Sequence, residues 1–237
     1  MSLSKSFWKE YFKTYDVLNK VIPYSVLIED LCTHLEIKRG DIVLDAGSGT
    51  SNLSVKLEKL GAQVIGADYS LEGLRIGRSK STGVKLLQND LNINLPFKDC
   101  SFDKVVSCNT LFLLPSENLP FVFKEIYRVL KPGGKIVITN LTSNFKPYKI
   151  YINHIKKFSK SYGLLKTVVS IVTLIVPTVK MFYYGSLIRK SSSRSSNFFD
   201  ANDQQKLLDH AGFKNISPPK AVFAGLGVLN TAEKGSR

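Results

Sequence analysis

The sequence predicts an α/β fold, a doubly wound and mostly parallel seven-stranded sheet with helices on both faces. Three observations carry this. Short apolar runs alternate with helix-period segments from Asp41 to about residue 140. The first three runs give way to acidic residues at Asp45, Asp68 and Asp90. Glycines at Gly61, Gly133, Gly134 and Gly212 fall where elements should turn. Strands joined by helices imply right-handed crossovers and hence parallel order.

Taken in order, residues 1–40 read as an N-terminal helical cap: Phe7, Tyr11, Tyr15 and Leu18 recur at helical spacing, as do Val26, Leu27, Leu31 and Leu35, with Pro23 between the two helices. The core proper is expected over 41–140 and 200–237. Ile42 to Leu44 is a buried strand, followed by the loop Asp45-Ala46-Gly47-Ser48-Gly49-Thr50 and a helix from about Ser51 that Gly61 caps. Val64 to Ala67 is the second strand, Leu71 to Ser79 a helix and Val84 to Leu87 the third strand. Phe102 to Ser107 makes the fourth, and a helix from Glu117 to Leu130 runs into Lys131-Pro132-Gly133-Gly134, a turn launching a fifth strand, Lys135 to Thr139. After an insertion over 141–199, Asp203 to Ala211 is helical, and Phe213 to Ile216 and Ala221 to Leu229 supply the last two strands.

Composition narrows the function. A chain of 237 residues with 43% hydrophobic content suits one large domain. Cys32, Cys100 and Cys108 are too scattered for a disulfide framework or a metal motif, so no metal is expected and a reducing, cytoplasmic compartment is the default. Lys9, Glu10 and Lys13 interrupt any secretory apolar run. The net charge is +14, of which +10 lies in 141–199, a segment with ten Lys/Arg and no Asp/Glu. Its most apolar stretch, Thr167 to Val179, falls short of the roughly 20 residues a spanning helix needs, so no transmembrane segment is expected.

In sheets of this kind ligands bind beyond the carboxyl ends of the strands. Gly47 and Gly49 allow a sharp turn and close approach to the backbone, and the helix that follows aims free N–H groups at that space. Asp68 can accept both hydroxyl hydrogens of a ribose. Asp90 can accept from an adenine amino group, with the Leu91 N–H available to a ring nitrogen, and Asn109 follows the fourth strand beside them. A dinucleotide fingerprint would want a third glycine where Asn52 stands, which weakens that alternative.

Val43-Leu44-Asp45-Ala46-Gly47-Ser48-Gly49-Thr50, Leu95-Pro96-Phe97-Lys98-Asp99-Cys100-Ser101-Phe102-Asp103 and Arg128-Val129-Leu130-Lys131-Pro132-Gly133-Gly134 together resemble the class I methyltransferases, whose fold is Rossmann-like, and most resemble the group that includes the ubiquinone/menaquinone C-methyltransferases. The resemblance implies S-adenosyl-L-methionine as cofactor. It puts Asp45, Ala46, Gly47, Ser48, Gly49 and Thr50 around the methionine moiety, Asp68 with Tyr69 at the ribose, Asn89, Asp90 and Leu91 at the adenine, and Ser107, Cys108 and Asn109 beneath the sulfonium. Tyr15-Asp16 with Asn19 is similar to a motif that covers the cofactor in quinone methyltransferases. Ser51 departs from the pattern, where a third loop glycine is usual; serine serves if the residue does not need positive φ.

Transfer from a sulfonium relies on alignment and exclusion of water; a base is needed only if the acceptor must lose a proton. The candidates are His154, in the insertion, and Tyr15 or Tyr11; His34 reads as structural and His210 as a helix cap. On a helix from Pro147 to Tyr162, Tyr148, Tyr151, Ile152, Ile155 and Phe158 share one face and Lys149, Lys156, Lys157 and Lys160 lie toward the other. Gly163 should break it, and Pro177 should break the apolar segment after it. Ser191 to Ser196 reads as a mobile linker. An apolar, aromatic and basic insertion suits an anionic membrane surface or a helical cap on the acceptor pocket, and either favours a lipophilic acceptor such as a quinone, prenyl compound or lipid. A nucleic-acid methyltransferase and a non-catalytic scaffold are the alternatives.

Overall fold

The computed structural model describes residues 5–143, 145–191, 200 and 202–236. The first parallel unit forms because β1 (Ile42–Ala46) is buried on both faces, and α3 (Asn52–Lys59) returns the chain to β2 (Gln63–Asp68) beside it. Next, α4 (Leu71–Lys80) leads to β3 (Lys85–Gln88), and β4 (Phe102–Cys108) inserts on the other side of β1. Two short 3₁₀ turns precede α5 (Leu119–Val129), which runs straight into β5 (Leu130–Leu141). The sheet order is β3-β2-β1-β4-β5-β7-β6, all parallel except β7 (Gly227–Glu233), which runs against both β5 and β6 (Lys220–Val222). The order reverses between β1 and β4, opening a crevice beyond their carboxyl ends.

Two clusters fill the two sides of the sheet. One joins Val43, Val64, Val106 and Val137 to α2 (Ile22–Leu35) and to Leu174 of the insertion, while the other packs Leu44, Val105 and Ile136 on Phe123 and Ile126 of α5. Before α2, α1 (Lys5–Tyr15) and a 3₁₀ turn (Asp16–Lys20) pack against α4 and the loop after β1. Pro23 therefore stands in the first turn of α2, where its missing N–H costs nothing. Val26 is 41% exposed and not a core residue, whereas Tyr24 and Ile28 are buried.

Four expectations are corrected. Phe213 to Ile216 is no strand: Phe213 is buried and only Lys214 bridges Glu233. The apolar run Ala221 to Leu229 is two strands, because Phe223, Ala224 and Gly225 all take positive φ and fold it into a tight hairpin. Lys131 to Gly134 lies within β5 as an irregularity in its pairing with β4. Pro177 does not end a helix. In α6 (Tyr148–Ser191) the chain breaks only at Gly163, at φ 80° and ψ 172°, and the second arm passes through the proline. That arm extends the apolar run on both sides of Thr167–Val179, and by length and composition α6 is apolar enough to cross a membrane.

The two arms fold back on each other. The His154 Nε2 lies 3.1 Å from Ser170 Oγ, and the Tyr151 and Phe182 rings are 6.0 Å apart. On the first arm Ile150 and His154 are buried, while Tyr148 and Ile152 are about half exposed, so the inward face is rotated from the one the apolar pattern indicated. Most of the linker from Ser191 to Ser196 lies outside the described residues. The last helix, α7 (Asp203–His210), seats Gln204 in a buried chain of amides: Asn140 Nδ2 donates to Gln204 at 2.6 Å and Gln204 Nε2 to Asn230 at 2.8 Å.

Candidate functional site

The loop after β1 is built by hydrogen bonds to its neighbour strand. The amides of Gly47 and Ser48 both donate to the Ala67 carbonyl, at 2.7 and 3.0 Å, and Gly49 N–H donates to Asp68 Oδ2 at 2.7 Å. Gly47 has φ 86°, and a Cβ there would fall 2.2 Å from Thr110 Cγ2, so the loop and the chain after β4 meet only because residue 47 has no side chain. Thr110 closes that contact by donating to the Gly47 carbonyl at 3.1 Å. Ser107, beneath, donates to the Ala46 carbonyl at 2.8 Å.

Three acidic groups stand at three successive strand ends. Asp45 is buried and accepts from Ser54 Oγ at 2.5 Å. Burial, opposed by that hydrogen bond and reinforced by the Asp68 carboxylate, pushes its pKa up to about 7. Burial also raises Asp68, against the amides of Ser70 and Gly49 that favour its charged form. Asp90 folds an Asx turn onto Asn92, accepting from its amide at 2.9 Å and its side chain at 2.7 Å. Asn89 is buried, its amide on the Asp68 carbonyl, and Leu91 is buried beside it; Tyr69 is 69% exposed.

Asn109 Oδ1, just after β4, is buried without a protein partner; Ser48 Oγ is also unpartnered but turns onto Gly66 of β2, where a Cβ would fall 2.9 Å from it. Asn109 also takes φ 51°, a conformation asparagine tolerates better than most residues. Unpaired buried acceptors and donors beside a backbone loop are what a polar ligand would satisfy. Cys108 is pushed up to about 12 by burial, which keeps it a neutral thiol.

Ser51 corrects its expectation. Its φ is 61°, so the position does adopt the left-handed conformation that glycine favours, and its buried hydroxyl has no partner. Space for the side chain comes from Gly77 on α4, where a Cβ would lie 2.3 Å from Ser51 Oγ.

The N-terminal segment roofs the loop. Phe12 lies 3.6 Å from where a Gly49 Cβ would stand. Tyr11 is raised to about 12, by burial first and then by the Asp68 charge near it. Asp16 accepts from Thr50 Oγ1 and Lys80 Nζ, each at 2.7 Å, and Asn19 donates to Asn52 at 3.0 Å. Lys80 also donates to the Thr50 carbonyl at 2.8 Å, and burial lowers its pKa. Sequence reading missed Phe12, Lys80 and Thr110; each acts through tertiary contact and carries no local signal. The Tyr15 and Tyr24 rings meet edge to face, 6.3 Å between centroids, and burial raises Tyr15 far above the ordinary phenol value.

His154 sits apart. Its Nδ1 accepts the Ile22 amide at 3.2 Å, capping α2, which leaves Nε2 to carry the proton toward Ser170. Burial lowers its pKa, so the ring is a neutral strut between α2 and the two arms of α6. His34 and His210 each bond a carbonyl four residues back in their own helix. Among the described residues no group of three or more His, Cys, Asp or Glu could hold a metal ion.

The family described as "Methyltransferase domain" matches residues 44–138. The chain is 30% identical to a demethylmenaquinone methyltransferase of Staphylococcus saprophyticus, over 93% of this chain and 91% of that protein. It is 31% identical to another of Lactobacillus johnsonii, over 84% and 78%. Among solved structures it is similar to an S-adenosylmethionine-dependent methyltransferase from Aquifex aeolicus, with TM-score 0.63, 17% identity and coverage of 98% and 100%, a likeness of fold.

Proposed function

The chain belongs to the class I S-adenosylmethionine-dependent methyltransferases of the menaquinone C-methyltransferase type, and from that premise we propose that it methylates a ring carbon of a lipophilic, prenylated quinol at a membrane surface. The enzyme uses S-adenosyl-L-methionine, which supplies an activated methyl group on a sulfonium. The crevice chemistry fits that group: Asp68 and Asp90 are hydroxyl and amino acceptors, and Asn109 Oδ1 is buried without a protein partner.

In this reading Asp45 to Thr50 hold the methionine end, Asp68 and Tyr69 the ribose, Asn89 to Leu91 the adenine, and Ser107 to Asn109 the floor under the sulfonium. Tyr15 and Asp16 cover it from above, with Lys80 fixing Asp16. No histidine takes a proton from the acceptor: a buried, doubly bonded His154 supports the fold, and Tyr15 stays protonated. The quinol hydroxyl releases its proton to solvent, the ring carbon beside it takes the methyl group as S-adenosylhomocysteine leaves, and loss of the C–H proton from that carbon to solvent restores the aromatic ring; alignment carries the displacement.

The single observation behind the acceptor is the similarity, over nine-tenths of both chains, to a protein named for demethylmenaquinone. The apolar, acid-free insertion supports it, placing aromatic and aliphatic side chains beside α1 and α2. The cytoplasm and the membrane face toward it are the compartment this reading implies. The test is turnover on naphthoquinols differing only in tail length. Activity that rises with an isoprenoid tail is expected; equal activity on tailless and tailed acceptors refutes a lipophilic acceptor site.

A further inference from the structure

The second arm of α6 carries an exposed apolar stripe that the cofactor site does not use. Leu165, Val168, Val169, Val172, Val176 and Val179 are each between 56% and 81% exposed. At about 100° per residue they fall within an arc of roughly 100°, on the side of the helix opposite Thr167 and Leu174. Thr167 and Leu174 are both 5% exposed and hold the arm to the protein. With its neighbours the arc presents on the order of 1,000 Å² of apolar surface, well above the few hundred Å² that soluble monomers usually expose. Only 11% of the most apolar window of this helix is buried, so it is not a core helix.

We propose that this stripe is an in-plane anchor: the second arm lies flat in the interface of an anionic bilayer, apolar arc down, and does not cross it. The proposal rests on the membrane-surface reading above and specifies how the surface is met. Charge supports this occupant over a second copy of the chain. Lys166 and Lys180, with Thr173 between them in the same helical row, border the arc, and Lys149, Lys156, Lys157 and Lys160 are exposed on the first arm. No Asp or Glu lies anywhere in 141–199, so an isologous dimer through this face would set like charges together, whereas anionic headgroups neutralise them.

The folding of α6 decides between lying flat and crossing. The first arm runs back beside the second, fixed by His154 on Ser170 and on the Ile22 amide. Tyr184 near the far end packs against the Phe7 and Tyr11 rings of α1, at 5.4 and 6.4 Å. A crossing arm would carry these neighbours, with Glu10, Lys13 and the first-arm lysines, into hydrocarbon, where each charge is strongly disfavoured. Lying flat immerses only the arc.

Two measurements test it on the full chain with vesicles of phosphatidylglycerol and phosphatidylcholine. First, Leu165→Ser, Val172→Ser and Val176→Ser combined should lower vesicle partitioning by more than roughly ten-fold at high salt, where lysine attraction is screened. The residues are exposed, so urea stability should not move. Unchanged partitioning overturns the proposal, as does a wild-type dimer that the same substitutions dissociate. Second, tryptophans placed singly at Leu165, Val172 and Val179, in a Trp8→Phe background, should be quenched equally by lipids brominated at one shallow depth. Deep quenching at residue 172 with shallow quenching at 165 and 179 means the helix crosses, and overturns it. Turnover on a short, water-soluble naphthoquinol separates the two readings. The serine variant should keep the wild-type rate on it, while absence of wild-type turnover on both this and a tailed naphthoquinol would count against the acceptor assignment and leave the anchor tests standing.

Discussion

Replacing Ser51 by glycine should stabilise the protein, although it deletes a buried side chain. Three effects set the magnitude. The left-handed conformation, φ 61°, costs a non-glycine residue about 1–2 kcal/mol. The buried, unpartnered hydroxyl costs about 1–3 kcal/mol. Against these stand about 1 kcal/mol of unfolded-chain entropy gained with glycine and about 1 kcal/mol for the small void. The balance is a gain of about 1–2 kcal/mol. The geometry adds a sharper expectation. Gly77→Ala alone drives a methyl to 2.3 Å from Ser51 Oγ and 2.9 Å from its Cβ, an overpacking that costs about 1–3 kcal/mol. With glycine at 51 the nearest remaining obstacle is Leu86 Cδ1 at 3.3 Å, and alanine's helix propensity, worth up to about 1 kcal/mol, offsets it. The double mutant should therefore be close in stability to Ser51→Gly, a coupling of about 2 kcal/mol. Urea unfolding followed by circular dichroism, with equal m values across the four proteins, measures the cycle. Additivity within about 0.5 kcal/mol, or a destabilised Ser51→Gly, would mean that Ser51 and Gly77 do not compete for the same space.

Other expectations follow from the crevice. Asp68→Ala should weaken S-adenosylmethionine binding by about 1.5–3 kcal/mol in calorimetry, the range for hydrogen bonds to a charged group; unchanged affinity would remove Asp68 from the site. Asp45, with its folded pKa raised to about 7, binds a proton that the unfolded chain has released. Stability without cofactor should thus fall as pH rises from about 4 to about 7 and then level, by at most about 4 kcal/mol; urea titrations in which Asp45→Asn keeps the same slope would contradict this. Lys80→Met should free Asp16 and Thr50, and so speed cofactor dissociation in stopped flow more than it slows association, since the roof and not the floor is loosened. Gly49→Phe should abolish turnover on any accepted quinol, because the added ring meets Phe12 and fills the loop; surviving turnover would relocate the cofactor.

The parallel core was legible because its strands, buried on both faces, appear as uninterrupted apolar runs such as Ile42-Val43-Leu44. Asp45, Asp68 and Asp90 could be found for the same reason: each follows such a run. Elements decided by backbone exceptions were not. Phe223 and Ala224 take positive φ without being glycine, so nothing in their identity announced the β6–β7 hairpin. Pro177 carried a strong local signal for a break, yet the helix runs through it, with Thr167 and Leu174 buried on its inner side. Ser51 takes positive φ, and the room for its side chain comes from Gly77, twenty-six residues away and adjacent only in the fold. Lys80, Phe12 and Thr110 join the site in the same way, from elements whose own patterns explain them fully as helix or turn.

Transfer of a methyl group from S-adenosylmethionine to a ring carbon of a prenylated quinol can be followed atom by atom. Its most direct test supplies the enzyme with cofactor labelled with ¹³C in the methyl group, together with a tailed naphthoquinol in mixed micelles. The lipid extract is then read by carbon NMR. Label is expected in the organic phase as a methyl bound to a ring carbon, formed in step with S-adenosylhomocysteine. Label appearing as a methoxy carbon, or remaining in the cofactor while the protein binds it, would contradict transfer to a ring carbon.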